Sequence, residues 1–144
     1  MSNSIKYFVT ALLIGSFDRL VKFFVNRLPP LDLYFIKIQS AQINSGLSMS
    51  LPVNNYIVIV LSFITIAALI IIFNRIKADE KYYFAAIIGA AFSNLIDRLL
   101  FGGVIDYINL LNLSVINFAD IVISLSVLVL IAKRLRLNKD RQLT

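Results

Sequence analysis

The stretch NYIVIVLSFITIAALIIIF, from Asn55 to Phe73, runs for 19 residues without a charge. A helix of about 20 apolar residues, rising ~1.5 Å per residue, covers the ~30 Å hydrocarbon core of a bilayer. The stretch therefore predicts a membrane-spanning helix, and its neighbours are read around it. The chain as a whole agrees: of its 144 residues 59% are hydrophobic and 15% charged, with a mean hydropathy of +0.84. That is far more apolar than a soluble domain, and the length suits about four spans of roughly 20 residues joined by short connections.

After Phe73 comes a charged turn, Arg75, Lys77, Asp79, Glu80 and Lys81, and then a second apolar run over residues 82–100. Its small residues Ala85, Ala86, Gly89, Ala90, Ala91 and Ser93 suit close helix packing, and Gly102-Gly103 ends it. A further span is expected over 117–132, running into Lys133, Arg134, Arg136, Lys139 and Arg141. Toward the amino terminus, residues 6–26 predict a helix that is apolar early, polar late and stopped by Pro29-Pro30. Its start, Lys6 followed by Tyr7 to Phe17, looks like a signal sequence. It passes into Asp18, Arg19 and Lys22 without a small-residue cleavage site, so an uncleaved helix is expected. Leu31 to Ile38 alternates in part between apolar and polar residues, with Ser45-Gly46 and Pro52 as turn signals, which predicts a small strand or hairpin region at the membrane surface. With both termini and the 75–81 turn on one side, nine of the 14 basic residues collect there. The positive-inside rule then places both termini in the cytoplasm and residues 97–120 outside.

The chain has no Cys and no His, which removes thiol nucleophiles, disulfides, Cys/His zinc sites and histidine bases together. No metal or cofactor is expected. The formal charge of +6 sits mostly in short stretches beside apolar runs, a pattern that sets membrane orientation and does not point to nucleic acid.

Four acids, Asp18, Asp97, Asp106 and Asp120, lie at the ends or flanks of apolar segments. A carboxylate near hydrocarbon is costly unless paired or hydrated, so each is a functional candidate. Asp106 and Asp120 bracket the connection between the last two spans and can meet when those helices pack antiparallel. Two close carboxyls in a poorly hydrated site share one proton, as in the aspartic proteases. One would deprotonate a water attacking an amide carbonyl while the other polarises the carbonyl oxygen. The dipole of the last helix favours an ionised Asp120 and leaves the proton nearer Asp106. Each has a plainer reading: Asn117 and Asp120 as a helix cap, Asp106 as a solvated loop acid. In Asn94-Leu95-Ile96-Asp97-Arg98, Asn94 and Asp97 share a helix face, and Asp97-Arg98 is either a helix-end salt bridge or part of a site. Asp18 and Lys22, at i and i+4, suit a helical ion pair. Asn44-Ser45-Gly46 reads as a turn able to sit beside an extended peptide. Asn112-Leu113-Ser114 matches a glycosylation sequon by chance.

In order, Asp18 to Lys22, Asn44-Ser45-Gly46, Gly89-Ala90, Asn94-Leu95-Ile96-Asp97-Arg98, Val104-Ile105-Asp106 and Asn117-Phe118-Ala119-Asp120 resemble the bacterial lipoprotein signal peptidases, or signal peptidases type II. The resemblance spans residues 18–121. It implies a single inner-membrane domain, an all-α bundle of four transmembrane helices with a small extracytoplasmic β-cradle over about 31–52. The implied activity is that of an aspartyl endopeptidase cutting diacylglyceryl-modified prolipoproteins before the lipidated cysteine. The catalytic pair falls on Asp106 and Asp120. Asn94, Asp97, Arg98 and Asn117 match pocket positions, and Asp18, Lys22, Asn44 and Gly46 match supporting or substrate-side positions. Asp97 is ranked as support because Arg98 beside it can hold it ionised. The implied partners are prolipoprotein substrates and membrane lipids, with the enzyme a monomer. Ser93 stands where the family usually has Gly, Val21 replaces Ser or Thr, and Leu47-Ser48-Met49 replaces small residues and Phe. The reading from a different class is a non-catalytic four-helix membrane protein that binds or assembles partners. A small ion-coupled transporter subunit fits less well, since its acids belong near mid-membrane.

Overall fold

A computed structural model describes residues 3–45 and 54–142. Gly46, Leu47-Ser48-Met49 and Pro52 lie outside the described residues. Within them the order is helix α1 (Asn3–Phe24), a short 3-10 turn (Val25–Arg27), strands β1 (Leu31–Leu33) and β2 (Ile36–Asn44), helices α2 (Asn55–Phe73) and α3 (Lys81–Phe101), strands β3 (Val104–Leu110) and β4 (Ser114–Ile116), and helix α4 (Phe118–Gln142).

Helix α2 occupies the uncharged stretch, opened by Asn54, whose side chain accepts the Tyr56 N–H at 2.9 Å. α2 and α3 are each long and apolar enough to cross a membrane. α3 is the central element and contacts α1, α2 and α4. Its buried face, which includes Ala85, Gly89, Ala90, Ser93, Asn94 and Asp97, begins with small residues and ends with polar ones. The small end lets α1 come close: a Cβ on Gly89 would collide with the backbone carbonyl of Ala11. α3 stops at Gly102, whose left-handed φ of 74° only glycine adopts without strain.

One antiparallel sheet lies at this end of the bundle, ordered β1-β2-β3-β4. The first hairpin falls in the region read as extended. The second was read only as a short outer connection, and the structure corrects this to a pair of strands. The neighbouring β4 pairs only Ile108–Leu110, and β2, about sixty residues earlier, supplies the partner for Val104, Ile105 and Asp106. The pairing aligns Gln42 with Asp106 and Asn44 with Val104, and shifts register between Ile38 and Gln42. At that irregularity the Ala41 N–H is taken by the Asn26 side chain at 2.8 Å, so the 3-10 turn after α1 pins the sheet. α4 continues past 132 through the basic tail, since Lys and Arg are good helix formers. Its far half is tied to the α2–α3 turn by Lys133 to Asp79 at 2.7 Å and Arg134 to the buried Glu80 at 3.1 Å.

Gly89→Ala forces α1 and α3 apart at their closest crossing. The expected loss is that of an overpacked core, about 1–3 kcal/mol, seen as a lower thermal midpoint in detergent. An unchanged midpoint would contradict the close crossing.

Candidate active site

The sheet end of the bundle holds a buried polar network with the ammonium of Lys22 in its middle. Lys22 lies within 2.7 Å of Asp18 Oδ2, one helical turn earlier on α1, and within 2.7 Å of Asp97 Oδ2 on α3; both carboxylates are fully buried. It donates its third hydrogen bond to Asn94 Oδ1 at 2.8 Å. Asp97 carries a second cation, Arg19. Of the two readings of Asp97-Arg98, the helix-end salt bridge is not the one found among the described residues, because adjacent residues on a helix point about 100° apart. Asp97 pairs instead with Lys22 and Arg19, both from α1.

Strand β4 delivers the chain to α4 through Asn117, and the first N–H groups of that helix all find acceptors. Phe118 N–H donates to the Tyr107 hydroxyl at 3.2 Å, Ala119 N–H to Asp18 Oδ1 at 2.9 Å, and Asp120 N–H to Asn117 Oδ1 at 2.9 Å. The backbone N–H of Asn117 in turn donates to Asp120 Oδ2 at 3.3 Å. This is a reciprocal capping box with an aspartate in the place of the usual Glu, so the plainer reading of Asn-x-x-Asp is correct as local structure.

It is also incomplete, because the other end of the Asn117 side chain donates to Asp106 Oδ1 at 2.7 Å. Asn117 is fully buried and bonds to both candidate acids. Asp106 is buried too, not a solvated loop acid, and its second oxygen accepts from Asn44 Nδ2 at 3.1 Å. Asp120 Oδ1 accepts from Asn94 Nδ2 at 2.9 Å. Asp106 and Asp120 line one cavity of about 280 Å³, together with Arg98 and Asn44. An adjoining hollow of about 290 Å³ continues past Asp106 along the sheet, bordered by Gln42, Asn109 and Asn112. Arg98 reaches its guanidinium back to the Asn94 carbonyl at 3.4 Å, leaving other donors facing the cavity. Burial, partly offset by the Asn44 and Asn117 hydrogen bonds, pushes the Asp106 carboxyl up to about 6. Burial likewise pushes the Tyr107 phenol well above its ordinary value. Among the described residues no group of His, Cys, Asp or Glu is arranged to hold a metal.

Asp18, Lys22, Asn44, Asn94, Asp97, Arg98, Asp106, Asn117 and Asp120 thus meet at one place, and Gly46 lies outside the described residues. Sequence reasoning missed Arg19, Ser93 and Tyr107. Ser93, noted as a small packing residue and as a departure from the family's usual Gly, donates its hydroxyl to Asp18 Oδ2 at 2.6 Å. The signal for Arg19 was a cation flanking a buried acid; for Tyr107 it was a polar ring in the same strand as Asp106.

The family model described as Signal peptidase (SPase) II matches residues 10–136. The chain belongs to the signal peptidase II family. It is 32% identical over 151 aligned positions to the lipoprotein signal peptidase of Pelagibacter ubique (strain HTCC1062), across 92% of this chain and 89% of that one. It is 34% identical over 108 positions to the lipoprotein signal peptidase of Anaplasma phagocytophilum (strain HZ), across 70% and 68% of the two chains. Its fold matches that of a bacterial membrane enzyme solved by the in meso method at 2.3 Å, with a TM-score of 0.81 at 19% identity over 91% of this chain and 88% of the other. Membership in the signal peptidase II family makes the chain a protease.

Because the Asp106 carboxyl rises from 3.8 to about 6 on folding, the folded state holds a proton that the unfolded chain releases between those values. Stability is therefore lost as pH climbs through that window, on the order of 3 kcal/mol in all. Asp106→Asn cannot ionise. Its thermal midpoint is expected to match wild type near pH 4 and to exceed it near pH 8. A wild-type midpoint at both pH values would contradict the buried acid.

Proposed function

We propose that this chain is an intramembrane aspartyl endopeptidase that removes signal peptides from diacylglyceryl-modified prolipoproteins, cutting on the amino side of the lipidated cysteine. The observation that carries this reading is the Asn117 side chain and backbone, which bond at once to Asp106 and Asp120 where both line one cavity. Family membership and the two lipoprotein signal peptidases quoted above support the substrate class.

Asp106, protonated through its burial, hydrogen-bonds the scissile carbonyl oxygen. Asp120, at the positive end of the α4 dipole, takes a proton from water, and the resulting hydroxide adds to the carbonyl carbon. Collapse of the tetrahedral intermediate breaks the C–N bond as the proton Asp120 took from water passes to the cysteine nitrogen, giving a new carboxyl group and a free amine. Asn117 holds the pair in register, and Arg98 offers donors to the substrate backbone or lipid headgroup. Asn44 orients Asp106 from the sheet. Asp18, Lys22, Asn94 and Asp97 support the site, and Gly46 is assigned beside the extended substrate.

In this reading residues 1–144 form a single multi-pass domain of the bacterial inner membrane, with spans near 6–26, 55–73, 82–100 and 117–132, a β-cradle that includes residues 31–52, and both termini in the cytoplasm. The protein acts as a monomer, and the dyad faces the extracytoplasmic interface, where water is at hand. A diacylated substrate is already held in the bilayer, so it enters laterally.

Purified protein is expected to hydrolyse a diacylglyceryl-modified precursor, with Asp106→Asn and Asp120→Asn each lowering turnover by at least about 10³-fold. Retained turnover in both would defeat the dyad. Asp97→Asn is expected to impair folding or binding first; a well-folded variant with normal affinity and no turnover would give Asp97 the catalytic role. Cysteines introduced at Asn109 and Ala78 test the topology: label reaches the first from outside and the second from inside, and the reverse pattern inverts the assignment.

A further inference from the structure

We propose that Lys22 is a positioning residue for the dyad, tethering the backbone immediately behind each aspartate and so setting the separation of their carboxyl groups; this rests on the dyad reading above. An ammonium has three hydrogens to donate. Here each has one acceptor, and each acceptor leads to the dyad by a different route. Asp18, 2.7 Å from Lys22, accepts on its other oxygen the N–H of Ala119, the residue before Asp120, at 2.9 Å. Asp97, also 2.7 Å away, accepts the N–H of Ile105, the residue before Asp106, at 3.2 Å. Asn94, at 2.8 Å, passes its amide hydrogen to the Asp120 carboxylate at 2.9 Å. One cation on α1 is thus joined to the start of α4 and to strand β3, the two segments that carry the aspartates.

Both tethering carboxylates are braced as well. Ser93 donates to Asp18 at 2.6 Å, and Arg19 pairs with Asp97. Two cations face two anions, and the Lys22 side chain is 1% exposed, so water is kept from its ammonium. The arrangement fixes the peptide planes at 104–105 and 118–119, each one residue before an aspartate, relative to each other. A displacement of about 1 Å between reacting groups is enough to cost ~100-fold in rate.

The test compares wild type with Lys22→Met, full-length in detergent, on a synthetic diacylglyceryl-modified peptide over a range of pH. Two carboxyls that share a proton titrate in two steps, and the gap between the steps grows as the groups approach. Loss of the cation alone moves both steps upward together. Loss of the tether narrows the gap, which a merely stabilising lysine would not do. Asp18, Asp97, Arg19, Arg98 and Tyr107, the other titratable groups around the dyad, are the same in both proteins. For Lys22→Met we expect kcat lower by about 100-fold, KM nearly unchanged and the gap narrowed; wild-type kcat with an unaltered gap would overturn the proposal. Should Lys22→Met not fold, Ser93→Ala carries the test. It removes only the hydroxyl braced on Asp18, and kcat is expected to fall by about threefold or more with a smaller narrowing; an unaltered profile overturns the proposal. Asp106→Asn and Asp120→Asn, run in the same assay, separate the two ideas. Turnover retained there removes the dyad itself. Turnover lost there, beside a wild-type profile in the tether variants, removes only the role given to Lys22.

Discussion

A lysine ammonium enclosed between two carboxylates, out of reach of water, is the constraint on which the sheet end of this molecule depends. Burying any of the three charges alone would cost several kcal/mol. Burying them together is tolerable only if the charged atoms find partners, and here each carboxylate oxygen and each ammonium proton has at least one. The remaining partners are backbone N–H groups at the start of α4 and the start of β3, so satisfying the charges also determines where those segments sit. α1 contributes the cations, α3 the second carboxylate and the asparagine, and the close crossing at Gly89 brings the two helices near enough to share them.

The same economy appears at the start of α4. A helix entering a poorly hydrated region cannot leave its first N–H groups to solvent. Tyr107, Asp18 and Asn117 accept three of them, and Asp120 returns a bond to the Asn117 backbone. A capping box is a modest local motif, usually worth about 1 kcal/mol. Here the capping asparagine also reaches Asp106 on another element, which turns a helix terminus into the hinge of a two-carboxylate site. The structural and chemical readings of Asn117-Phe118-Ala119-Asp120 are two descriptions of one set of bonds.

Much of this was legible in the order of residues. Helix α2 follows from an unbroken apolar run, α3 from a run punctuated by small residues and closed by two glycines, and the start of α1 from its apolar early turns. The acids stood out because nothing in an apolar setting excuses them. What could not be read was which distant groups they meet. The first part of β3 is paired by β2 and not by β4, and a strand whose partner is remote leaves little mark on local pattern. Asp97 beside Arg98 looked like a pair in one dimension, whereas helix geometry turns Arg98 toward the cavity and gives Asp97 to Lys22 and Arg19. Ser93 looked like a departure from a glycine position, and its value lies in a hydroxyl aimed at Asp18, a residue 75 positions away.

The claim beneath all of this is that Asp106 and Asp120 act on one water. It is tested most directly by an experimental structure of the full-length protein at a resolution that shows ordered solvent in the cavity between β3 and α4. The account predicts a single water within about 3 Å of a carboxyl oxygen of each aspartate, on the side left open by Asn117, Asn44 and Asn94. Two carboxyls that face separate solvent sites, with no water common to both, would contradict it.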